Sequence, residues 1–200
     1  MVQDLRFAVR QLFKAPGFTI AAVTVLALGI GVNTAVFSLV NTLFFAPPAY
    51  AKPHEMVQLF SQDNKDPKKF RGFSYPTYLD IREQNTVFSD VMSFNLALIG
   101  LGQKGDIHRA FAAIVSSNYF SVLGVPLARG RSFLPEEETP GRNAPVAIVS
   151  YSYWQKHNLD PTVLGSQVLI NGRPFTIVGI MPKGFAGTLQ ILSPQVWLPI

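Results

Sequence analysis

The hydrophobic pattern of this chain changes character once, near residue 46. From Phe18 to Phe45, 28 residues pass without a charged side chain. A helix needs about 20 apolar residues to cross the hydrocarbon core of a bilayer. The run therefore predicts one transmembrane helix over 18–45, with length to spare for tilt or polar ends. Ahead of it, Val2, Leu5, Val9 and Leu12 share one helical face, while Arg6, Arg10 and Lys14 fall off that face. Residues 1–17 thus predict a short amphipathic helix at the membrane surface. Three basic residues precede the span, whereas charges of both signs follow it, from Lys52 and Glu55 to Asp63, Lys65 and Asp66. That bias puts the N-terminus in the cytoplasm and residues 46–200 outside. The rival reading is a cleaved signal peptide, supported by Ala49-Tyr50-Ala51 after Pro47-Pro48. A signal's apolar region is only about 7–15 residues, so the anchor is the favoured reading. Both readings export everything after Pro48.

The span is not uniformly apolar. Thr24, Ala27, Gly31, Thr34, Ser38 and Asn41 are spaced 3, 4, 3, 4 and 3 and share one face. Small residues let helix backbones approach, and hydroxyl or amide groups bond across helices. The plain reading is that Gly, Ala, Ser and Thr occur in any span. The favoured one is a helix that packs on other transmembrane helices.

Residues 46–200 alternate short apolar runs with turn signals. The expected elements begin with a strand over Met56–Ser61, a charged loop over Gln62–Gly72, and a helix capped by Ser74 running to about Gln84. A strand follows over Val87–Leu101, bent near Asn95, then a turn at Gly102–Gly105 and a strand over His108–Val115. Asn118–Leu123 reads as a short helix stopped by Gly124, and Pro145–Val149 as a buried strand. Ser150 caps a helix to about His157, and Asp160-Pro161 starts a shorter one stopped by Gly165. The sharpest local signal is Asn171-Gly172 between Gln167–Ile170 and Arg173–Ile180, a type I′ hairpin. Helices and hairpins in irregular alternation define an α+β class.

Composition adjusts this picture modestly. Charged residues make up 14% of the 200 residues, and mean hydropathy is +0.23, with the excess concentrated in the span. The net charge of +5 comes from scattered side chains, with only Lys68–Arg71 clustered. Nothing resembles a nucleic-acid docking motif. With no cysteine, disulfides and thiolate metal sites are excluded. His54, His108 and His157 lack metal-ligand spacing. Ser116-Ser117 and Ser150/Ser152 lack a base and an orienting group. Glu136-Glu137-Glu138 reads as a solvated helix start or loop. Gly29-Ile30-Gly31 follows no strand and is no dinucleotide fingerprint, and no phosphate-binding P-loop occurs. Trp154, Phe133, Phe175, Phe185 and Trp197 read as core. The residues therefore predict no enzyme, no cofactor and no metal.

Taken in order, these segments resemble the beginning of MacB/FtsX-type ABC transporter permeases. The pieces are Asp4-Leu5-Arg6, Pro16-Gly17-Phe18-Thr19, Leu26-Ala27-Leu28-Gly29-Ile30-Gly31 and Asn33-Thr34-Ala35. Further on, Ser74-Tyr75-Pro76 with Asp80, Asn118-Tyr119-Phe120 with Leu123-Gly124-Val125, and Gly130-Arg131-Ser132-Phe133 with Glu137 resemble the MacB-like periplasmic core domain. So do Ser150-Tyr151 with Trp154, Asp160 to Gly165, Asn171-Gly172, Val178-Gly179-Ile180-Met181-Pro182 with Phe185, and Trp197-Leu198-Pro199. The likeness is greatest to the long acidobacterial permeases. It implies a first transmembrane helix, a periplasmic domain of two lobes, and later membrane helices that residues 1–200 do not contain. A fragment or truncated product is therefore expected. The resemblance also implies partners: a cytoplasmic ATP-binding subunit, other permease helices from a homodimer or internal repeat, and a periplasmic adaptor. ATP hydrolysis would move the periplasmic domain. The alternative is an FtsX-like, non-transporting protein that regulates a periplasmic partner.

Overall fold

The computed structural model describes residues 10, 12–41, 50–63, 65–103, 105–139, 141, 144–189 and 192–200. The chain divides into two compact units, Met1–Pro47 and Pro48–Ile200. In the first, helix α1 spans Pro16–Val40. Proline opens it because its missing N–H falls where no intrahelical partner exists. Ala15, with φ −127°, separates α1 from a helical turn at Leu12–Lys14. The Thr19 hydroxyl bridges that break by donating to the Leu12 carbonyl at 2.8 Å. The expected amphipathic helix falls mostly on residues 1–9 and 11, and the end of the expected span on 42–45. Both lie outside the described residues.

The second unit contains β1 (Ser61–Asp63), β2 (Asp66–Arg71), α2 (Tyr75–Gln84), β3 (Phe94–Gln103), β4 (Asp106–Val115) and α3 (Tyr119–Val122). These are followed by β5 (Arg129–Gly130), β6 (Val146–Val149), α4 (Tyr151–Lys156), β7 (Gln167–Ile170), β8 (Arg173–Ile180) and β9 (Val196–Pro199). Seven strands run in the order β5-β8-β6-β9-β4-β3-β7, and β7 pairs again with β8, which closes six of them into a ring. The β4–β9 and β6–β8 pairs are parallel; the others are antiparallel. Hairpin β1–β2 stands apart as a separate two-stranded sheet. Pro48–Ile200 is the larger of the two compact units.

Successive strand residues point to opposite faces, and this sheet buries both. One face of the ring gathers Ile99, Leu101, Ala110, Ala112, Val149, Val168, Ile177 and Val196, closed off by Tyr153 and Trp154. The other gathers Ala113, Val115, Ile148 and Trp197 under Tyr119, Phe120, Leu123, Phe133 and Phe185. The adjacent pairs Ala112/Ala113, Ile148/Val149 and Val196/Trp197 therefore serve two different cores. Phe133, Trp154, Phe185 and Trp197 are buried as expected, while Phe175 is half-buried.

Most local expectations match. Ser74 and Ser150 cap α2 and α4, accepting from the Thr77 and Tyr153 amides at 3.4 and 3.1 Å. Asp160 accepts from the Thr162 amide at 2.8 Å. Asn171 and Gly172 take φ 50° and 79°, the paired positive values a type I′ turn requires. Three expectations need correction. Met56–Phe60 is not a strand; only Ser61–Asp63 pairs, with 66–71. The supposed charged loop is that hairpin, turned by Asp63 Oδ1 accepting from the Lys65 amide at 2.9 Å. Nor does the next strand begin at Val87. Asn85 Oδ1 accepts from the Val87 and Phe88 amides at 3.0 and 2.8 Å, occupying donors a ladder would need. Strand β3 starts at Phe94 and runs in continuous register against β4 without a bend.

Candidate functional site

Two features go beyond packing: the surface of α1, and a set of buried polar links in the sheet unit. All 25 residues of α1 belong to a helix of mean hydropathy 2.1 in its most apolar window, and none is buried. Its exposed large side chains include Phe18, Leu26, Leu28, Ile30, Phe37 and Leu39. Each such side chain would gain roughly 1.5–3 kcal/mol on leaving water. A helix carrying that much apolar surface is stable only in lipid or against other helices. Thr24, Ala27, Gly31, Thr34, Ser38 and Asn41 are all exposed on it. A Cβ added at Gly29 or Gly31 would meet nothing within 4 Å among the described residues, and none of these requires glycine there. The Asn33 amide is used locally, donating to the Gly29 carbonyl at 2.9 Å.

In the sheet unit, the carboxylate run Glu136-Glu137-Glu138 begins in a 3-10 turn with Glu136 exposed, as the sequence predicts, but its last member is buried. Glu138 is 5% exposed. Its Oε2 accepts from the Ser117 amide at 2.8 Å and the Ser117 hydroxyl at 2.6 Å. Its Oε1 accepts from the Tyr75 hydroxyl at 3.2 Å, which ties α2 to the turn after β4. Burial, reinforced by the Glu138 charge and hydrogen bond, pushes the Tyr75 phenol up to about 12. Glu138 therefore acts as a buried acceptor, its two oxygens receiving three donors. Beside it, Asn118 donates to Asp90 Oδ2 at 3.0 Å and the Val91 carbonyl at 2.9 Å, and accepts from Ser116 Oγ at 2.7 Å. The Ser116 hydroxyl oxygen also accepts from the Ser93 amide at 2.9 Å. These bonds fasten the segment between α2 and β3.

Glu137 joins Arg131 through two bonds of 2.9 and 2.6 Å and accepts from the Leu134 amide at 2.8 Å. The Arg131 hydrogen bonds hold the Glu137 carboxyl below its ordinary 4.5. A depressed carboxyl pKa gives stability that is present above the ordinary value and lost as pH falls through the folded value. Acidification from pH 5 toward pH 3 is thus expected to lower the melting temperature less in Glu137→Gln than in the natural chain. Equal acid sensitivity in both would remove Glu137 from the account. Arg131 is partly exposed, so the effect is expected to be modest.

No catalytic constellation emerges from these links. Ser150 and Ser152 bond to each other at 2.8 Å, and His157 stacks on Tyr153 at 4.4 Å. Among the described residues, no group of three His, Cys, Asp or Glu side chains could hold a metal ion. The sequence assigns no polar-link role to Tyr75, Asn118, Arg131 or Glu137, and it does not reveal the burial of Glu138. The available signal was Pro135 ahead of three acids, which sets a 3-10 turn over Pro135–Glu137 and directs Glu138 inward.

The fold resembles the periplasmic region of MacB from Actinobacillus actinomycetemcomitans, with a TM-score of 0.54 at 17% identity, covering 70% of this chain and 62% of that one. It also resembles the extracellular domain of the noncanonic ABC-type transporter YknZ from Gram-positive bacteria, with a TM-score of 0.51 at 16% identity, covering 64% and 62%. The family of MacB-like periplasmic core domains matches residues 19–200, and the chain belongs to it. The macrolide export ATP-binding/permease protein MacB of Neisseria gonorrhoeae is 32% identical over 85 residues, which are 40% of this chain and 13% of that protein. The same protein of Neisseria meningitidis matches equally.

Proposed function

We propose that this chain is the N-terminal portion of the permease of an ABC-type export or mechanotransmission assembly. Helix α1 crosses the cell membrane with Lys14 on the cytoplasmic side and Pro48–Ile200 outside. A separate ATP-binding subunit hydrolyses ATP in the cytoplasm, and further permease helices carry that motion to the sheet unit. A periplasmic adaptor would receive it. The observation that carries this reading is the continuity of the family match, which begins inside α1 at residue 19 and runs through β9. One family model spanning α1 and the sheet unit supports reading them together as an anchor and its external unit. The two cores and the Glu138 and Asn118 links support a unit that moves as a body rather than one that binds a small molecule in a deep cavity.

In this reading Thr24, Ala27, Gly31, Thr34, Ser38 and Asn41 face the neighbouring helices. Gly31→Leu combined with Ser38→Leu, in the full-length permease, is expected to reduce co-purification with the ATP-binding subunit by about tenfold. That corresponds to losing roughly 1–2 kcal/mol of helix–helix contact. Leucine is at home in lipid, so insertion is unaffected. Unchanged assembly in the double variant would refute the packing face.

A further inference from the structure

We propose that hairpin β1–β2 is a membrane-surface anchor whose aromatic face docks on anionic lipid headgroups. The hairpin lies outside the closed sheet, and a lone two-stranded hairpin is marginal in water. Its faces differ. Arg71 pairs with Asp63 at 2.7 Å and Lys69 with Asp66 at 3.4 Å, which neutralises those four charges. Phe60 and Phe70 pack edge to face at 6.1 Å while remaining 51% and 66% exposed, and neither joins a core. Strand alternation places Lys68 on the same face as Phe70, and Lys65 sits at the exposed turn. Neither lysine has an acidic partner among the described ion pairs. Val57 before β1 and Phe73 after β2 add exposed apolar surface where the chain enters and leaves the hairpin.

Aromatic rings beside unpaired lysines suit a bilayer interface, where rings enter the headgroup boundary and ammonium groups meet anionic lipid. A protein groove would more often pair those lysines with carboxylates. The hairpin is also tethered: Phe60 follows the last described helical residue, Asn41, by only 19 positions. Fully extended, that stretch reaches at most about 65 Å, so a membrane-inserted α1 keeps the hairpin at high local concentration near the same surface. The inference rests on α1 crossing the membrane.

The chain has no cysteine, so Gln62→Cys can carry an environment-sensitive fluorophore on the aromatic face and Lys69→Cys the same probe on the opposite one. The full chain would be placed in vesicles of phosphatidylcholine, alone or with about one third phosphatidylglycerol, containing nitroxide-labelled lipid. The Gln62 probe is expected to be quenched, and the Lys69 probe much less, with quenching enhanced by phosphatidylglycerol and weakened by salt. Lys68→Ser is expected to weaken docking by about fivefold, and Phe60→Ser with Phe70→Ser to abolish it. Those rings lie outside both cores, so an unchanged melting temperature confirms folding. Quenching that is absent, or that survives the double serine variant, overturns the proposal. Probe shielding that rises with protein concentration in detergent assigns the face to a second copy and also overturns it. Resistance to alkaline extraction reports α1 separately. A chain that stays in the bilayer with an unquenched probe refutes the hairpin alone, whereas an extracted chain refutes the anchor and the hairpin together.

Discussion

Replacing Trp197 by alanine is expected to cost about 3–5 kcal/mol of stability, the usual range for removing a large buried aromatic side chain. Domains of this size hold only about 5–15 kcal/mol in total, so the variant stands near unfolding. Trp197 is fully buried, with its ring 6.1 Å from Phe120 and 5.6 Å from Phe185. Strand β9 is only four residues long, yet it pairs with both β4 and β6. Losing the side chain empties the second core at the strand that joins the two halves of the ring. Trp197→Phe retains most of the apolar contact and is expected to cost much less. Urea unfolding of the full chain in detergent, followed by near-ultraviolet circular dichroism, measures both. A loss below about 1 kcal/mol for the alanine variant would contradict this packing.

Glu138→Ala is the second large effect. It strands the Ser117 amide, the Ser117 hydroxyl and the Tyr75 hydroxyl, each of which now donates to the carboxylate. An unsatisfied buried donor costs about 1–3 kcal/mol. Because the hydroxyls can rotate to other acceptors, the sum is expected near 2–4 kcal/mol. Tyr75→Phe alone removes one donor and is expected to cost less. The two substitutions share a bond, so together they are expected to cost less than their sum, by about 0.5 kcal/mol or more. Strict additivity would show that Tyr75 and Glu138 do not interact in solution.

Local chemistry was legible in the sequence wherever one short stretch decides the outcome. Ser74, Ser150 and Asp160 cap their helices, Gly124 stops α3 with φ 63°, and Asn171-Gly172 turns its hairpin. What distant pairing decides was not legible. Strand β9 has four residues and owes its existence to β4 and β6, far away in sequence. Hairpin β1–β2 carries Asp66, Lys68 and Lys69 in a strand, against ordinary propensity, because pairing with Ser61–Asp63 and its ion pairs hold it. The closed ring, and therefore the existence of two cores, depends on β7 pairing with both β3 and β8. The burial of Glu138 follows the same logic, since its donors lie 21 and 63 positions away.

Several of the segments that resemble the permease family are joints of the sheet unit. Tyr75 bonds Glu138, Asn118 fastens the segment before β3, Arg131 clasps Glu137, and the Trp154 indole donates to the Asp160 carbonyl at 2.7 Å. Gly179 is another: a Cβ there would lie 2.7 Å from the Arg131 carbonyl and collide with Leu127. At each of these positions one residue type satisfies a bond or a gap, in a fold otherwise built from aliphatic residues that tolerate exchange.

In the proposed function, α1 separates the two ends of the chain across a membrane. Single cysteines at Lys14 and at Asp106, the exposed first residue of β4, can be probed in intact cells with a maleimide reagent that does not cross the inner membrane. Asp106→Cys is expected to label in intact cells once the reagent reaches the periplasm, and Lys14→Cys only after the inner membrane is permeabilised. Labelling of Lys14→Cys in intact cells with Asp106→Cys protected would place the sheet unit in the cytoplasm and contradict the account.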